Sequence, residues 1–153
     1  MKVECDTLSN LLLQLNINKL DYLKIDTQGA ELEVLKGMEN FRPLLIKVEA
    51  HIFSMYKGVP SWNKLLDYLY ELNYIAIDLK GIGNHNTRIP AEADILFIPN
   101  FSNNDGKKII FQSKEKFLSL MLIFGQINLL KIISKRLNLK LDDLENFQDF
   151  YFN

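Results

Sequence analysis

Residues 21–38 read DYLKIDTQGAELEVLKGM, and the changes of pattern within them decide the fold. Tyr22–Asp26 (YLKID) is a short run of apolar and aromatic residues that closes on a carboxylate, the pattern of a strand. A polar turn with Gly29 follows. Ala30–Lys36 then reads as a helix, with Glu31 and Glu33 near its positive end and Gly37 placed to terminate it. Strand, tight turn and helix in immediate succession form one βα unit.

Working outward, the same unit recurs. Leu44–Glu49 (LLIKVE), Tyr74–Leu79 (YIAIDL) and Ile95–Pro99 (ILFIP) are three further runs of five or six residues. All four read as strands buried on both faces. Asp6 or Thr7 can cap a helix through Leu15, with Leu8, Leu11, Leu12 and Leu15 on one side. Ser61 can cap another, whose Trp62, Leu65, Leu66, Leu69 and Leu72 form one stripe. Strand–helix alternation with short loops implies a parallel sheet. Between the third and fourth runs, Lys80–Glu92 holds Gly81, Gly83, Asn84, Asn86 and Pro90, so no helix fits there and the fourth strand is expected to return antiparallel. The spatial order expected is Tyr22–Asp26, Leu44–Glu49, Ile95–Pro99, Tyr74–Leu79. Lys114–Leu139 reads as one long helix or two broken at Gly125. Asp142–Asn146 adds an acidic turn before an aromatic end.

The chain's 153 residues suit one domain, able to bury roughly 70% of the surface its unfolded form exposes. Eighteen basic against nineteen acidic residues leave a net charge of −1, so no global field favours nucleic acid. Cys5 is the single cysteine, which excludes an intramolecular disulfide framework and a thiolate-rich zinc site and makes the reducing cytoplasm the default compartment. The start, MKVECDTLSNLLLQL, is not expected to be a secretory signal, and Phe117–Ile133 carries too many polar residues for a transmembrane segment. The apolar Phe117–Leu137 stretch suits docking on the sheet or on a partner better than a membrane surface.

Chemistry concentrates at strand ends. In open α/β sheets ligands sit beyond the carboxyl ends of the strands, which is where Asp26 stands; the same acid could equally cap the turn. Glu49 ends the second run, and His51 follows closely. If the two strands are parallel neighbours, Asp26 and Glu49 emerge about 5–10 Å apart. Two carboxylates and an imidazole at one edge can bind a cation, deprotonate a hydroxyl or hold a metal. Gly81-Ile82-Gly83-Asn84 lacks the third glycine and the following helix of a phosphate loop.

The run Asp26-Thr27-Gln28-Gly29-Ala30-Glu31-Leu32-Glu33-Val34-Leu35-Lys36-Gly37, preceded by YLKI, resembles the signature of FkbM-type S-adenosylmethionine-dependent methyltransferases. Neighbouring pieces agree in order: the Asp6-Thr7-Leu8 helix start, the strand ending in Val48-Glu49, the Tyr56-Lys57-Gly58-Val59-Pro60 loop, and Glu92-Ala93-Asp94-Ile95-Leu96-Phe97. The resemblance spans residues 3–99. It implies an α/β fold, the C-terminal half of a Rossmann-like class I methyltransferase sheet, mostly parallel with its last strand antiparallel, and with added C-terminal helices. Residues 1–112 would be a partial methyltransferase domain lacking the glycine-rich cofactor motif, and residues 113–153 a helical extension. The implied activity is O-methyl transfer from S-adenosyl-L-methionine to a hydroxyl of a sugar, glycan or other natural product. By the resemblance Asp26 and Glu49 are catalytic, Asp26 and Gln28 touch the cofactor, His51 and Tyr56 line the acceptor side, and no metal is required. The missing half would come from a complementary chain; the alternative is a non-catalytic relic or interaction module that pairs with a second copy or another protein.

Overall fold

The computed structural model describes residues 5–53, 58–81 and 92–139. The chain divides into two compact units, residues 1–117 and 118–153.

The first unit opens with α1 (Leu8–Gln14), capped by Thr7, whose hydroxyl accepts the Asn10 N–H at 3.2 Å. Asp6 reinforces this end, its carboxylate accepting from the Thr7 N–H and the Asn10 amide, both at 2.8 Å. β1 (Tyr22–Ile25) and α2 (Glu31–Lys36) follow, then β2 (Leu45–His51), α3 (Trp62–Glu71) and β3 (Tyr74–Lys80). β4 (Glu92–Pro99) returns in the opposite direction. The order across the sheet is β1-β2-β4-β3, as the spacing implies. Because β4 lies between β2 and β3, three strands share a direction while only β1 and β2 pair in parallel.

Register divides the side chains between two faces. Ile25, Ile46, Val48, Ala50, Ala93, Ile95, Phe97 and Tyr74 share the core with Leu35 and Met38 from the α2 region and Leu65 and Leu69 of α3. This face is buried at its centre, with Leu23 partly covered and Ala76 exposed toward the edges. The opposite face corrects the expectation of strands buried on both sides. Its amino half, with Leu45, Leu96 and Ile98, is buried. Its carboxyl half carries Lys24, Lys47, Glu49 and Asp94, all partly or well exposed. Charged side chains at alternate positions cannot be buried without partners, so this half of the face stays open to water.

Two details of the helices differ from the expected reading. Ser61 stands at the N-cap of α3, but its side chain accepts no capping hydrogen bond. A further helix, α4 (Asn104–Phe111), follows β4, with the Asn103 side chain accepting the Gly106 N–H at 2.8 Å. Gly106 is required there: a Cβ would come within 2.1 Å of the Asn100 carbonyl oxygen, so α4 packs directly on the chain leaving the strand. α5 (Lys114–Ile123) continues into the second unit, and α6 (Ile127–Leu137) lies within it, the two broken at Gly125 as expected. Leu130, Ile133 and Leu137 are buried on one side of α6, whereas Ile132 is exposed. No helix among the described residues is long and apolar enough to cross a membrane. Residues 140–153, where an acidic turn and an aromatic end are expected, lie outside the described residues, as do residues 82–91, where a loop is expected.

Candidate functional site

The turn that leaves β1 is wound around one buried carboxylate. Glu31, 1% exposed, accepts the N–H groups of Thr27 and Gly29 at 3.1 and 2.9 Å and the Thr27 hydroxyl at 2.9 Å. Burial works against its charge, but these donors outweigh it and hold the group below the usual carboxylate range. Glu31 is thus the turn's anchor and not a reacting group. Gly29 takes φ +125°, and a Cβ on it would lie 2.7 Å from Val59 Cγ2, so glycine lets the loop before α3 close against the turn. Gln28 also adopts a left-handed backbone, φ +55°, a conformation rare for a residue with its side chain.

That conformation places the Gln28 amide between two acids. Its Nε2 donates to Glu49 Oε2 at 2.6 Å and lies 3.4 Å from Asp26 Oδ1. Asp26 and Glu49 are themselves within hydrogen-bonding reach of each other. The two environments differ. Lys24, two residues earlier on the same face, donates to Asp26 Oδ2 at 2.8 Å. Lys24 first, then Glu49 and Gln28, hold Asp26 below the usual carboxylate range. Glu49 is pushed upward, first by burial and then by Asp26, with Glu92 and Asp94 adding to the effect. The arrangement is one ionised acid beside one that retains its proton more readily, with the Gln28 amide between them.

Asp26, Gln28 and Glu49, all selected from sequence, are therefore brought together. His51 is not among them. Although at the end of β2, it is 1% exposed, with Nδ1 3.6 Å from a Glu92 carboxylate oxygen, and offers no surface to an acceptor. Tyr56 lies outside the described residues. Lys24, Lys47 and Asp94 were missed by sequence reasoning; the alternation of charges along LKID, IKVE and EADI was the available signal, masked by the apolar residues between them. Among the described residues no group of three or more His, Cys, Asp or Glu could hold a metal ion.

A cleft of about 890 Å³ lies at the other end of the sheet, near the residues that precede β1, β2 and β3. Two of its three cations, Lys19, Arg42 and Lys108, are engaged with main-chain oxygens: Arg42 Nη1 donates to the carbonyls of Glu39 and Phe41, and Lys19 Nζ to that of Gln112. These contacts satisfy chain ends after helices and leave the reacting-type groups at the carboxyl end.

Residues 1–76 match the family model of the methyltransferase FkbM domain, a match that ends within β3. No curated protein and no solved structure gives a significant match.

Proposed function

We propose that this chain, a member of the FkbM methyltransferase family by its residues 1–76, serves S-adenosylmethionine-dependent O-methyl transfer to a hydroxyl of a sugar or related natural product, as the C-terminal half of a Rossmann-like class I domain. The observation that carries this reading is the pair Asp26 and Glu49, held together through Gln28 at the carboxyl ends of two parallel strands. The chemistry supplied by bound S-adenosylmethionine is an electrophilic methyl group on a positively charged sulfur. Asp26, ionised and 38% exposed at its side chain, fits the cationic methionine end of that molecule, and the Gln28 amide stands beside it. No glycine-rich turn suited to the rest of that molecule occurs among the described residues.

Glu49 is the better base of the pair. A base acts most effectively when its proton affinity approaches that of the working solution, and Glu49 is the acid raised toward it. It would accept the proton of the acceptor hydroxyl, while Asp26 keeps its negative charge and Gln28 fixes the Glu49 carboxyl.

The test is transfer of isotope-labelled methyl groups from S-adenosylmethionine to a panel of monosaccharides and glycosides, with the chain supplied alone and with a glycine-rich complementary half. Glu49→Gln is expected to reduce turnover about 10²–10⁴-fold. Turnover unchanged in a folded Glu49→Gln protein would remove Glu49 from the role. The second reading, a non-catalytic module that pairs with another chain, is favoured by one observation: β1 stands at the sheet's edge with β2 as its only strand neighbour in the described sheet. Label transfer distinguishes the two.

A further inference from the structure

On the open half of the sheet the charged side chains fall into rows that run across the strands. Asp94 of β4 sits directly opposite Glu49 of β2 in the antiparallel register. Asp26, just beyond β1, flanks Glu49 on the other side. Three carboxyl groups therefore stand side by side, an arrangement that costs stability because like charges directly across a ladder repel. One row earlier, Lys24 and Lys47 face each other in the parallel register. Each lysine reaches an outer carboxylate: Lys24 to Asp26 and Lys47 to Asp94, both at 2.8 Å. The central carboxyl receives the Gln28 amide instead of a lysine.

We infer that Lys47 and Asp94 are positioning residues of the Asp26–Glu49 pair, Lys47 holding Asp94 beside Glu49 so that Asp94 and Asp26 together govern the proton on Glu49. The inference rests on the proposed role of Glu49 for its meaning in catalysis, and on register and ion-pair geometry for its substance. A lysine bound to Glu49 would fix that carboxyl as an anion with little affinity for a proton. Lysines paired with its two neighbours instead hold those neighbours in place, and leave Glu49 to respond to them. The groups that face Glu49 are Asp26, Gln28 and Lys24 from the β1 side, Lys47 and His51 along its own strand, and Asp94 and Glu92 from β4; Lys24 acts on it both directly and through Asp26.

The experiment is a carbon-13 NMR titration of the Glu49 side-chain carboxyl in the full chain, with no cofactor or acceptor needed. Asp94→Asn removes a neighbouring negative charge and is expected to lower the titration midpoint by about half a pH unit, the size expected for charges near 5 Å in a largely aqueous setting. Lys47→Met leaves Asp94 uncompensated and is expected to raise the midpoint, and Lys47→Arg to restore it. The opposed displacements should shrink in high salt. Midpoints unmoved in folded Asp94→Asn and Lys47→Met proteins would assign the ion pair a structural role and overturn the inference. If Lys47→Met does not fold, Asp94→Asn, which preserves size and shape, decides alone. Loss of methyl transfer with the midpoints displaced as expected leaves this inference standing and bears on the catalytic reading only.

Discussion

Glu31 and Glu49 show how environment divides one residue type. Glu31 is surrounded by donors and its proton affinity is lowered; Glu49 is surrounded by acids and its proton affinity is raised. Their linkage to stability has opposite sign. The depressed Glu31 contributes stability above its unfolded value near 4.5, and that contribution is lost as pH falls through its lower folded value. The raised Glu49 is neutral in the folded state at acid pH and costs stability as pH rises through its folded value above 4.5. Glu31→Ala is expected to cost about 1–3 kcal/mol at pH 7, because Thr27 and Gly29 lose their acceptor. Urea denaturation at pH 7 and pH 3 checks this: the gap between wild type and variant should narrow at the lower pH. Glu49→Gln should behave in the reverse way, gaining resistance to urea at pH 7 and little at pH 4. Such a gain is the usual sign of a group kept for chemistry at some cost to the fold. The signature run made Glu31 visible in the sequence, but its role as an acceptor for the turn became clear only from the donors around it.

Among the elements, what was legible followed from lengths and breakers. The glycine- and asparagine-rich segment after β3 has no room for a crossover helix, so β4 had to return antiparallel, and the order β1-β2-β4-β3 follows. Gly125 marked the break between α5 and α6. The open half of the sheet was not legible because each strand is short: Lys24, Lys47 and Asp94 sit singly between apolar neighbours, and two-residue alternation over so few positions looks like a buried run. α4 was hidden by its size and by Gly106, which disfavours a helix on its own terms and is needed here only because Asn100 lies against it. The caps give a test at this scale. Thr7 and Asn103 accept main-chain N–H groups, whereas Ser61 does not. Thr7→Ala and Asn103→Ala should each cost about 1 kcal/mol in chemical denaturation, and Ser61→Ala less than about 0.5 kcal/mol. Gly106→Ala should cost about 1–3 kcal/mol, as overpacking against a backbone carbonyl does. Equal effects at Thr7 and Ser61 would show that the cap geometry is misassigned.

For the molecule as a whole, one side of a cleft can make only part of a cofactor site. Small-molecule sites enclose most of their ligand's surface. The carboxyl ends of β1 and β2 provide an acidic side chain, an amide and a glycine turn, which suit a cationic group at one end of a ligand. Asp26 there is already paired with Lys24, so a cationic ligand must compete with that lysine or share the carboxylate with it. β1 is an edge strand of four residues, and Lys24 at its centre is well exposed. A short, charged edge resists casual pairing, yet its backbone direction would accept a parallel strand from a complementary chain. Such a strand would bring the turn following it to the carboxyl end, beside Asp26, where the remainder of the cofactor would have to be held. The chain alone is therefore expected to bind S-adenosylmethionine with a dissociation constant of about 1 mM or weaker, and to bind it more tightly when a polypeptide supplying a glycine-rich strand–turn–helix start is added. Titration calorimetry on the full chain, with and without that partner, measures both constants. A micromolar constant for the isolated chain would mean that the Asp26 side of the cleft holds the whole cofactor, and that the edge at β1 has no part in completing it.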